Sequence, residues 1–412
     1  MGQALRQEVY VEPIKYLDTL HSNSEGWITK AEINCGYKQW HYRYAELLEQ
    51  DFAAENVYIS LNTFYSTFRR VEYLKELKAQ FIDLDIYKTG FTKEQIIMHL
   101  EADYFNKSIP RPNLIIDSGR GLYLIWLLNS VPSKALPLWK AIEEYLYSVL
   151  KPFGADRQAL DPTRILRVPG SINSKSKTTV KVIEQYDYIY DLREIQNEYL
   201  PELEERKAKK KGRPSKTVFI HRERSLYYAR IQDIIKLCEL REYDLKGHRE
   251  LILFLYRYYL CYFLEDTQKA LQDILELNRE FVYPLSETEV IRATRSAEKV
   301  YLSKDKDYKY KNETLIELLL ITELEETYMT TIISKKEYKR RNNEYNKNKY
   351  KEKLKSEGKM SKKEELEQLR AKIKSLREQG FKNKEIMQML GITSTTTFER
   401  HITYMKKNGL LK

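Results

Sequence analysis

Phe81-Ile82-Asp83-Leu84-Asp85-Ile86 is the stretch on which the reading of this chain turns. Apolar residues alternate with two aspartates, the pattern of a half-buried strand. Side chains two apart on a strand share a face, so Asp83 and Asp85 project together while Ile82, Leu84 and Ile86 turn to the core. Two carboxylates a few ångströms apart repel, and both stay ionised comfortably only with a cation between them. Hard oxygen ligands on a rigid strand suit Mg2+ or Mn2+, which also take oxygens from a substrate phosphate. A solvent-facing polar edge on an amphipathic strand explains the same alternation, so the hexapeptide alone does not choose.

Its surroundings add strands and two further polar segments. Strand-like runs are expected at Val57–Leu61, Asn113–Ile116, Leu122–Leu128, Ile165–Val168 and Val180–Glu184, with helices at Trp40–Asp51 and Lys134–Leu150. Strands interrupted by helices within one region indicate an α/β or α+β domain. Between two of these strands lies Asp117-Ser118-Gly119-Arg120-Gly121. Its glycines allow a tight loop whose amides can approach a phosphate, and Arg120 adds a bidentate donor. An ordinary hairpin turn is the plainer reading. The third segment places Asp161 beside a strand, followed by Arg164, Arg167, a Pro-Gly turn, Asn173 and Lys175. Three cations within fourteen residues of an aspartate make little sense as core packing. They suit a triphosphate or nucleic-acid backbone site next to a metal ligand.

Together the three segments resemble, in order and spacing, the signature motifs of the archaeo-eukaryotic-type primase superfamily, especially its plasmid and phage replication-protein branches. Asp83/Asp85 match an Asp-x-Asp strand, and Ser118–Trp126 match a small Gly-containing loop leading into a strand. Asp161–Lys175 match an acidic residue followed by Arg-x-Pro-Gly and Asn-x-Lys. The likeness covers about 105 of the 412 residues, and its specificity lies in the combination. It implies an α+β, primase-type (RRM-like) core performing two-metal nucleotidyl transfer on a DNA template from nucleoside triphosphates. Asp83, Asp85 and Asp161 would hold Mg2+ or Mn2+. Ser118, Arg120, Gly121, Tyr123, Arg164, Arg167, Asn173 and Lys175 would meet the nucleotide. One departure stands out: Tyr123 occupies the place where the family presents a histidine to the phosphates, and a tyrosine carries no positive charge near neutral pH. That departure keeps open a non-catalytic, origin-binding initiator or regulator with a degenerate nucleotide-binding core. A metal-dependent nuclease suits the cationic loops less well.

Hydrophobic residues make up 42% of the chain and aromatics 12%, enough to build cores, and 412 residues imply two or three domains. No apolar run approaches the roughly 20 residues needed to cross a bilayer. The N-terminus has no apolar signal region, and Arg6 spoils a myristoylation pattern. Cys35, Cys238 and Cys261 form no metal or CxxC spacing, which points to a reduced, cytoplasmic protein. Of the net charge of +11, the span 331–359 carries seven, with eleven Lys/Arg against four Asp/Glu. Concentrated charge of this kind suits a polyanion, and a solvated lysine-rich helix explains it equally well. Residues 201–218 read as a charged linker whose KKKGRP core loosely resembles a minor-groove AT-hook. No GxxxxGK[ST] phosphate loop occurs, so a separate helicase is an expected partner.

Beyond the linker the chain reads as helical, with apolar periodicity near 225–240, 247–264, 266–280 and 286–301. Ser286 with Glu289 forms a capping box, and His248 reads as a surface or capping histidine. Lys362–Glu378 reads as an amphipathic helix. After it, Asn383–Leu390 and Thr393–Met405 flank a Gly391-Ile392 turn as a helix-turn-helix. Ile386, Leu390, Ile392, Phe398, Ile402 and Met405 form its buried side. Ser394, Thr395, Thr396, Glu399 and Arg400 are then offered to a DNA groove; packing on a neighbouring domain is the alternative. The expected divisions are a catalytic domain at 1–200, a linker at 201–220 and a helical domain at 221–305. A basic helical connector at 306–360 and the helix-turn-helix at 361–412 complete them. DNA, as template and as origin duplex, is the expected partner, with no membrane.

Overall fold

The computed structural model describes residues 13–34, 36–200, 216–303, 308, 310–356 and 362–411. The KKKGRP run lies outside them, as does residues 201–215 of the expected linker; its last residues already belong to a helix. The chain divides into two compact units, Met1–Ile332 and Ile333–Lys412. As expected, strands fill the N-terminal half and helices alone the C-terminal half.

After helix α1 (Pro13–His21) come β1 (Ile28–Ile33) and β2 (Tyr37–Tyr42), the one-turn helix α2 (Tyr44–Leu47), β3 (Val57–Ser60), β4 (Thr63–Phe64) and β5 (Leu74–Leu84). The helix expected over Trp40–Asp51 is therefore mostly strand and loop. Alternation of Tyr37, Gln39 and His41 with Lys38, Trp40 and Tyr42 lets this aromatic run pair with β1, and β-propensity outweighs the helical pattern. Next come α3 (Lys93–Asp103), β6 (Leu114–Asp117), β7 (Leu122–Pro132) and α4 (Leu136–Leu150). Four short strands close the region, β8 (Ile165–Arg167), β9 (Ile172–Asn173), β10 (Thr178–Thr179) and β11 (Lys181–Gln185), before α5 (Leu192–Tyr199).

Two antiparallel sheets result, one ordered β2-β1-β3-β8 and one β11-β6-β7-β5-β4, with β9 and β10 a small hairpin. β5 is paired to β7 along most of its length but to β4 only at its start. Its remaining backbone edge would be left unsatisfied, and side chains close it. The Trp139 indole donates to Ala79 O at 2.8 Å, and Phe81 N donates to the buried Glu143 carboxyl at 3.3 Å. Asn62 Oδ1 accepts from Lys78 N at 2.8 Å. α4 thus packs on the strand with Leu136, Trp139, Ile142, Leu146 and Leu150 all fully buried. Each such side chain is worth about 1.5–3 kcal/mol of apolar burial.

The helical part of the first unit comprises α6 (Lys216–Leu240), α7 (Arg249–Leu264), α8 (Thr267–Glu280), α9 (Glu287–Ser303), α10 (Asn312–Leu318) and α11 (Glu323–Tyr328). α7 is buried almost all round and serves as the bundle's core. Ser286 and Glu289 make the expected capping box, whereas His248 precedes α7 without a side-chain cap bond. Buried polar bonds tie the bundle to the sheet region: Tyr256 donates to Glu72 Oε1 at 2.7 Å, and Arg70 pairs with Glu280 at 2.6 Å.

The second unit comprises α12 (Lys335–Ser356), α13 (Lys362–Glu378), α14 (Asn383–Met389) and α15 (Thr395–Lys407). Ile373, Ile386, Phe398 and Met405 form its buried centre, with Leu390, Ile392 and Ile402 packed against them. Among the described residues no helix is long and apolar enough to cross a membrane.

Candidate active site

β5 ends at Leu84, one residue short of the second aspartate, and Asp85 instead opens a 3-10 turn over Ile86–Lys88. The inside-outside alternation survives, because Ile82, Leu84 and Ile86 are buried while Asp83 and Asp85 are half-buried. The chain leaving α4 pins the strand end: Asp156 N donates to Asp83 O and Asp85 N donates to Gly154 O, both at 2.8 Å. Asp156 is thereby held beside the two aspartates. Burial pushes the Asp83 carboxyl up to about 7, opposed most by Arg164 and Arg167 and aided by the negative charges of Asp85 and Asp156. Lys88 Nζ donates to Asp85 Oδ2 at 2.5 Å.

Asp161 is buried, and its carboxylate accepts from Thr163 N at 2.8 Å and from the Thr163 hydroxyl, whose single proton lies between Oδ2 at 2.8 Å and Oδ1 at 2.9 Å. Its charge acts on Arg69, whose Nη1 donates to Thr163 O at 2.6 Å. Asn62 Nδ2 adds a bond to Pro162 O at 2.8 Å. These bonds fix the turn that delivers Arg164 and Arg167 to β8.

Arg167, on β8 of one sheet, acts on Tyr123 on β7 of the other. Its guanidinium carbon is 4.8 Å from the Tyr58 ring centroid, on the neighbouring strand β3. Arg167 Nη2 donates to Asn56 Oδ1 at 3.5 Å, and its charge acts on the phenols of Tyr58 and Tyr123. Tyr123 is opposite Asp83 in the β5–β7 register, and burial, then the Asp83 charge, pushes its phenol up. It therefore remains a neutral hydrogen-bonding group through the physiological range.

The glycine loop is built for close approach. A Cβ on Gly121 would lie 2.1 Å from Leu84 O, and one on Gly119, with φ +96°, 2.3 Å from Ser176 Oγ. The loop is thus wedged between the end of β5 and the β9–β10 hairpin. Buried Asn173 donates from Nδ2 to Ser118 O at 2.7 Å, and its Oδ1 accepts from Lys175 N at 3.1 Å. Lys93 of α3 reaches Asp117 Oδ1 at 2.5 Å and Gly119 O at 2.9 Å. Arg120 is exposed and stacks on Tyr87, 4.0 Å from the ring centroid. Lys175 is exposed as well.

The structure therefore gathers Asp83, Asp85, Tyr123, Arg164 and Arg167, with Ser118, Gly121 and Asn173 in the supporting loops. Arg120 and Lys175 stand exposed, and Asp161 is turned onto Thr163. Asp156, Tyr58 and Lys88 escaped the sequence reading. Only Asp156 had a signal, a carboxylate just after the Phe153-Gly154 turn. The facing donors are carboxylate oxygens, the set that suits Mg2+ or Mn2+. Among the described residues no three His, Cys, Asp or Glu side chains form a ready-made metal site. A cation there would complete its shell with substrate oxygens, as Mg2+ commonly does.

In the second unit, Ser394, Thr395, Thr396, Glu399 and Arg400 are all exposed at the start of α15, where Ser394 Oγ caps the helix by accepting from Thr397 N at 3.3 Å. Thr396, Glu399 and Arg400 line a shallow depression with Thr403, Tyr404 and Lys407.

Comparison with known proteins fixes the family. Over 408 residues the chain is 68% identical to a curated Clostridium perfringens protein named "Replication protein", matching 99% of this chain and 100% of that one. The chain belongs to this family of replication proteins. No protein-family profile matches it. Two solved structures share remote likeness with this replication protein. The primase-polymerase AEP domain of cyanophage S-2L has 15% identity and a TM-score of 0.35, covering 45% of this chain and 96% of that domain. The primase RepB′ has 10% identity and a TM-score of 0.32, covering 71% and 98%.

Proposed function

We propose that this replication protein is a primase or primase-polymerase of a plasmid or other mobile element, adding nucleotides from nucleoside triphosphates to a strand paired with a DNA template. The observation that carries the proposal is the meeting of Asp83, Asp85 and Asp156 at one strand end, with Arg164 and Arg167 acting on the same carboxylate. Acidic ligands beside paired guanidinium groups match a triphosphate bound through divalent ions.

In this reading Asp83 and Asp85 hold Mg2+ or Mn2+, and Asp156, held at the same strand end, is favoured as third ligand over Asp161, whose carboxylate is turned to Thr163 N and its hydroxyl. The bound ions would activate the attacking hydroxyl and neutralise the leaving pyrophosphate. The protein's own work is positional. Arg164 and Arg167 grip phosphate oxygens, and the Tyr58 ring with Asn56 positions the Arg167 guanidinium. Asp161, through Thr163, sets the turn carrying both arginines. The Gly119–Gly121 loop brings backbone against the strand end, leaving no room for a side chain between substrate and carboxylates. The exposed start of α15 reads duplex DNA as the second helix of a helix-turn-helix. Lacking a phosphate loop, the chain works with a separate helicase.

The deciding experiment is primer synthesis and extension on single-stranded DNA with Mg2+ or Mn2+, comparing wild type with Asp83→Ala/Asp85→Ala. Incorporation that disappears in the variant supports the enzyme. A wild type that binds DNA and makes no product is instead an origin-binding initiator, with Tyr123 marking the lapsed site.

A further inference from the structure

The face of the four-stranded sheet that carries Arg167 and Tyr58 continues past the candidate site. Register pairs place Arg167 beside Tyr58, Tyr58 beside Ala31 and Ala31 beside Gln39, so one row of side chains crosses β8, β3, β1 and β2. Cross-strand partners share a face. Three strand spacings of about 4.8 Å put Gln39 roughly 14 Å from Arg167. One step along, the partners Ile33 and Tyr37 lie on this same face, and they are 41% and 47% exposed.

Tyr37 is exposed yet held. Its hydroxyl donates to Gln39 Oε1 at 2.7 Å and accepts from Arg69 Nη2 at 3.0 Å, and the guanidinium lies 6.0 Å from the ring centroid. Arg69 is itself anchored on Thr163 O, next to Arg164. Between Tyr37 and Arg167, Asn56 binds Ser174 Oγ at 2.7 Å and accepts from Ser174 N at 3.2 Å, which brings the loop bearing exposed Lys175 to this end. The row itself (Arg167, Tyr58, Ala31, Gln39, Ile33, Tyr37) contains no carboxylate; Glu32 belongs to the opposite face.

We propose that this strip binds single-stranded DNA, with a base stacked on Tyr37 and the backbone running past Lys175 towards Arg167. The inference rests on the polymerase reading, and it places the template strand beside the reacting centre. A tied-down aromatic loses little freedom when a base stacks on it, and base–aromatic stacking tolerates any sequence. Flanking cations meet the phosphates, and a strip without carboxylates offers them no repulsion.

The test uses the full-length chain and a deoxythymidine oligonucleotide carrying one 5-iodouracil, irradiated without nucleotide or metal, with the cross-link mapped by mass spectrometry. A cross-link on Ile33–Gln39 is expected, and cross-links confined elsewhere overturn the proposal. In parallel, Tyr37→Ala is expected to weaken oligonucleotide binding to the strip by roughly 5- to 150-fold, read as lost cross-linking yield across a concentration series. Tyr37→Phe, which keeps the ring, should hold within about 3-fold by the same stacking argument. Equal behaviour of the two variants overturns the stacking role. Template-dependent incorporation without a cross-link on the strip removes this inference and leaves the polymerase reading. A cross-link without incorporation does the reverse.

Discussion

Asp83 and Tyr123 stand opposite each other on β5 and β7, so the first aspartate of the Asp83/Asp85 pair and a buried tyrosine form one cross-strand pair. Arg167 lies against the tyrosine and lowers the cost of charge on Asp83. Tyr123 thus lies between the carboxylates and the arginine-bearing strand β8. Tyr123→Phe removes a buried hydroxyl that faces Asp83 and the Arg167 charge, a loss of about 1–3 kcal/mol. Expressed in kcat/KM for nucleotide incorporation, that is a fall of roughly 5- to 150-fold. An unchanged value would show that Asn56 and the Tyr58 ring position Arg167 without the Tyr123 hydroxyl.

Asp156 and Asp161 should separate by the kind of damage their loss causes. Asp156→Asn removes a carboxylate beside Asp83 and leaves its backbone bond intact, so incorporation should fall at least about 100-fold with little change in stability, as for other losses of a transition-state charge contact. Asp161→Asn disturbs the Thr163 turn and leaves Arg69 beside a neutral amide in a buried place. It should cost about 1–3 kcal/mol of stability by urea unfolding. Full activity in Asp156→Asn, with loss only in Asp161→Asn, would return the third ligand to Asp161.

What the sequence made legible, and what it did not, follows from the range of each interaction. Alternation and i, i+3, i+4 spacing are local, so β5, α4, α7–α9 and the packed residues Ile386, Phe398 and Met405 could be read directly. The Trp40–Asp51 helix failed because β1 supplies pairing that a local pattern cannot reveal. Asp156 failed for a related reason: its place depends on a bond to Asp83 O, 73 residues away in sequence. The orientation of Asp161 turns on Thr163, only two residues on, and a local Asx-type bond of that kind could have been suspected.

Arg400 should matter for sequence selectivity more than for overall affinity. If α15 enters a groove, Arg400→Ala should cost about 1–3 kcal/mol on a duplex selected from a random pool and much less on unrelated duplex. Truncation after Ser356 should abolish the selective part altogether. Electrophoretic mobility shifts with both duplexes measure the two effects. Equal loss on both would make Arg400 a phosphate contact, and no loss would assign α15 to another role.

His21 makes stability depend on pH in a predictable direction. It is fully buried, with Nε2 donating to Ser60 O at 2.9 Å and Nδ1 3.0 Å from Ser24 Oγ, so both ring nitrogens are satisfied in the neutral form. Burial, then the Lys78 charge, lowers its pKa to about 3. Between about 3 and the ordinary 6.5 the unfolded chain binds a proton that the native chain refuses, so stability falls as the pH drops through that window. From pH 7 to pH 5 this one group should remove about 2 kcal/mol. Asp273 works against it: burial raises its carboxyl to about 7, and the native form keeps a proton that the unfolded chain releases. The comparison must therefore be made against His21→Gln, which leaves Asp273 in place. Urea unfolding at both pH values should show the wild type losing about 2 kcal/mol more than the variant. Equal losses would mean that His21 protonates inside the fold without penalty, against the opposition of burial and the Lys78 charge.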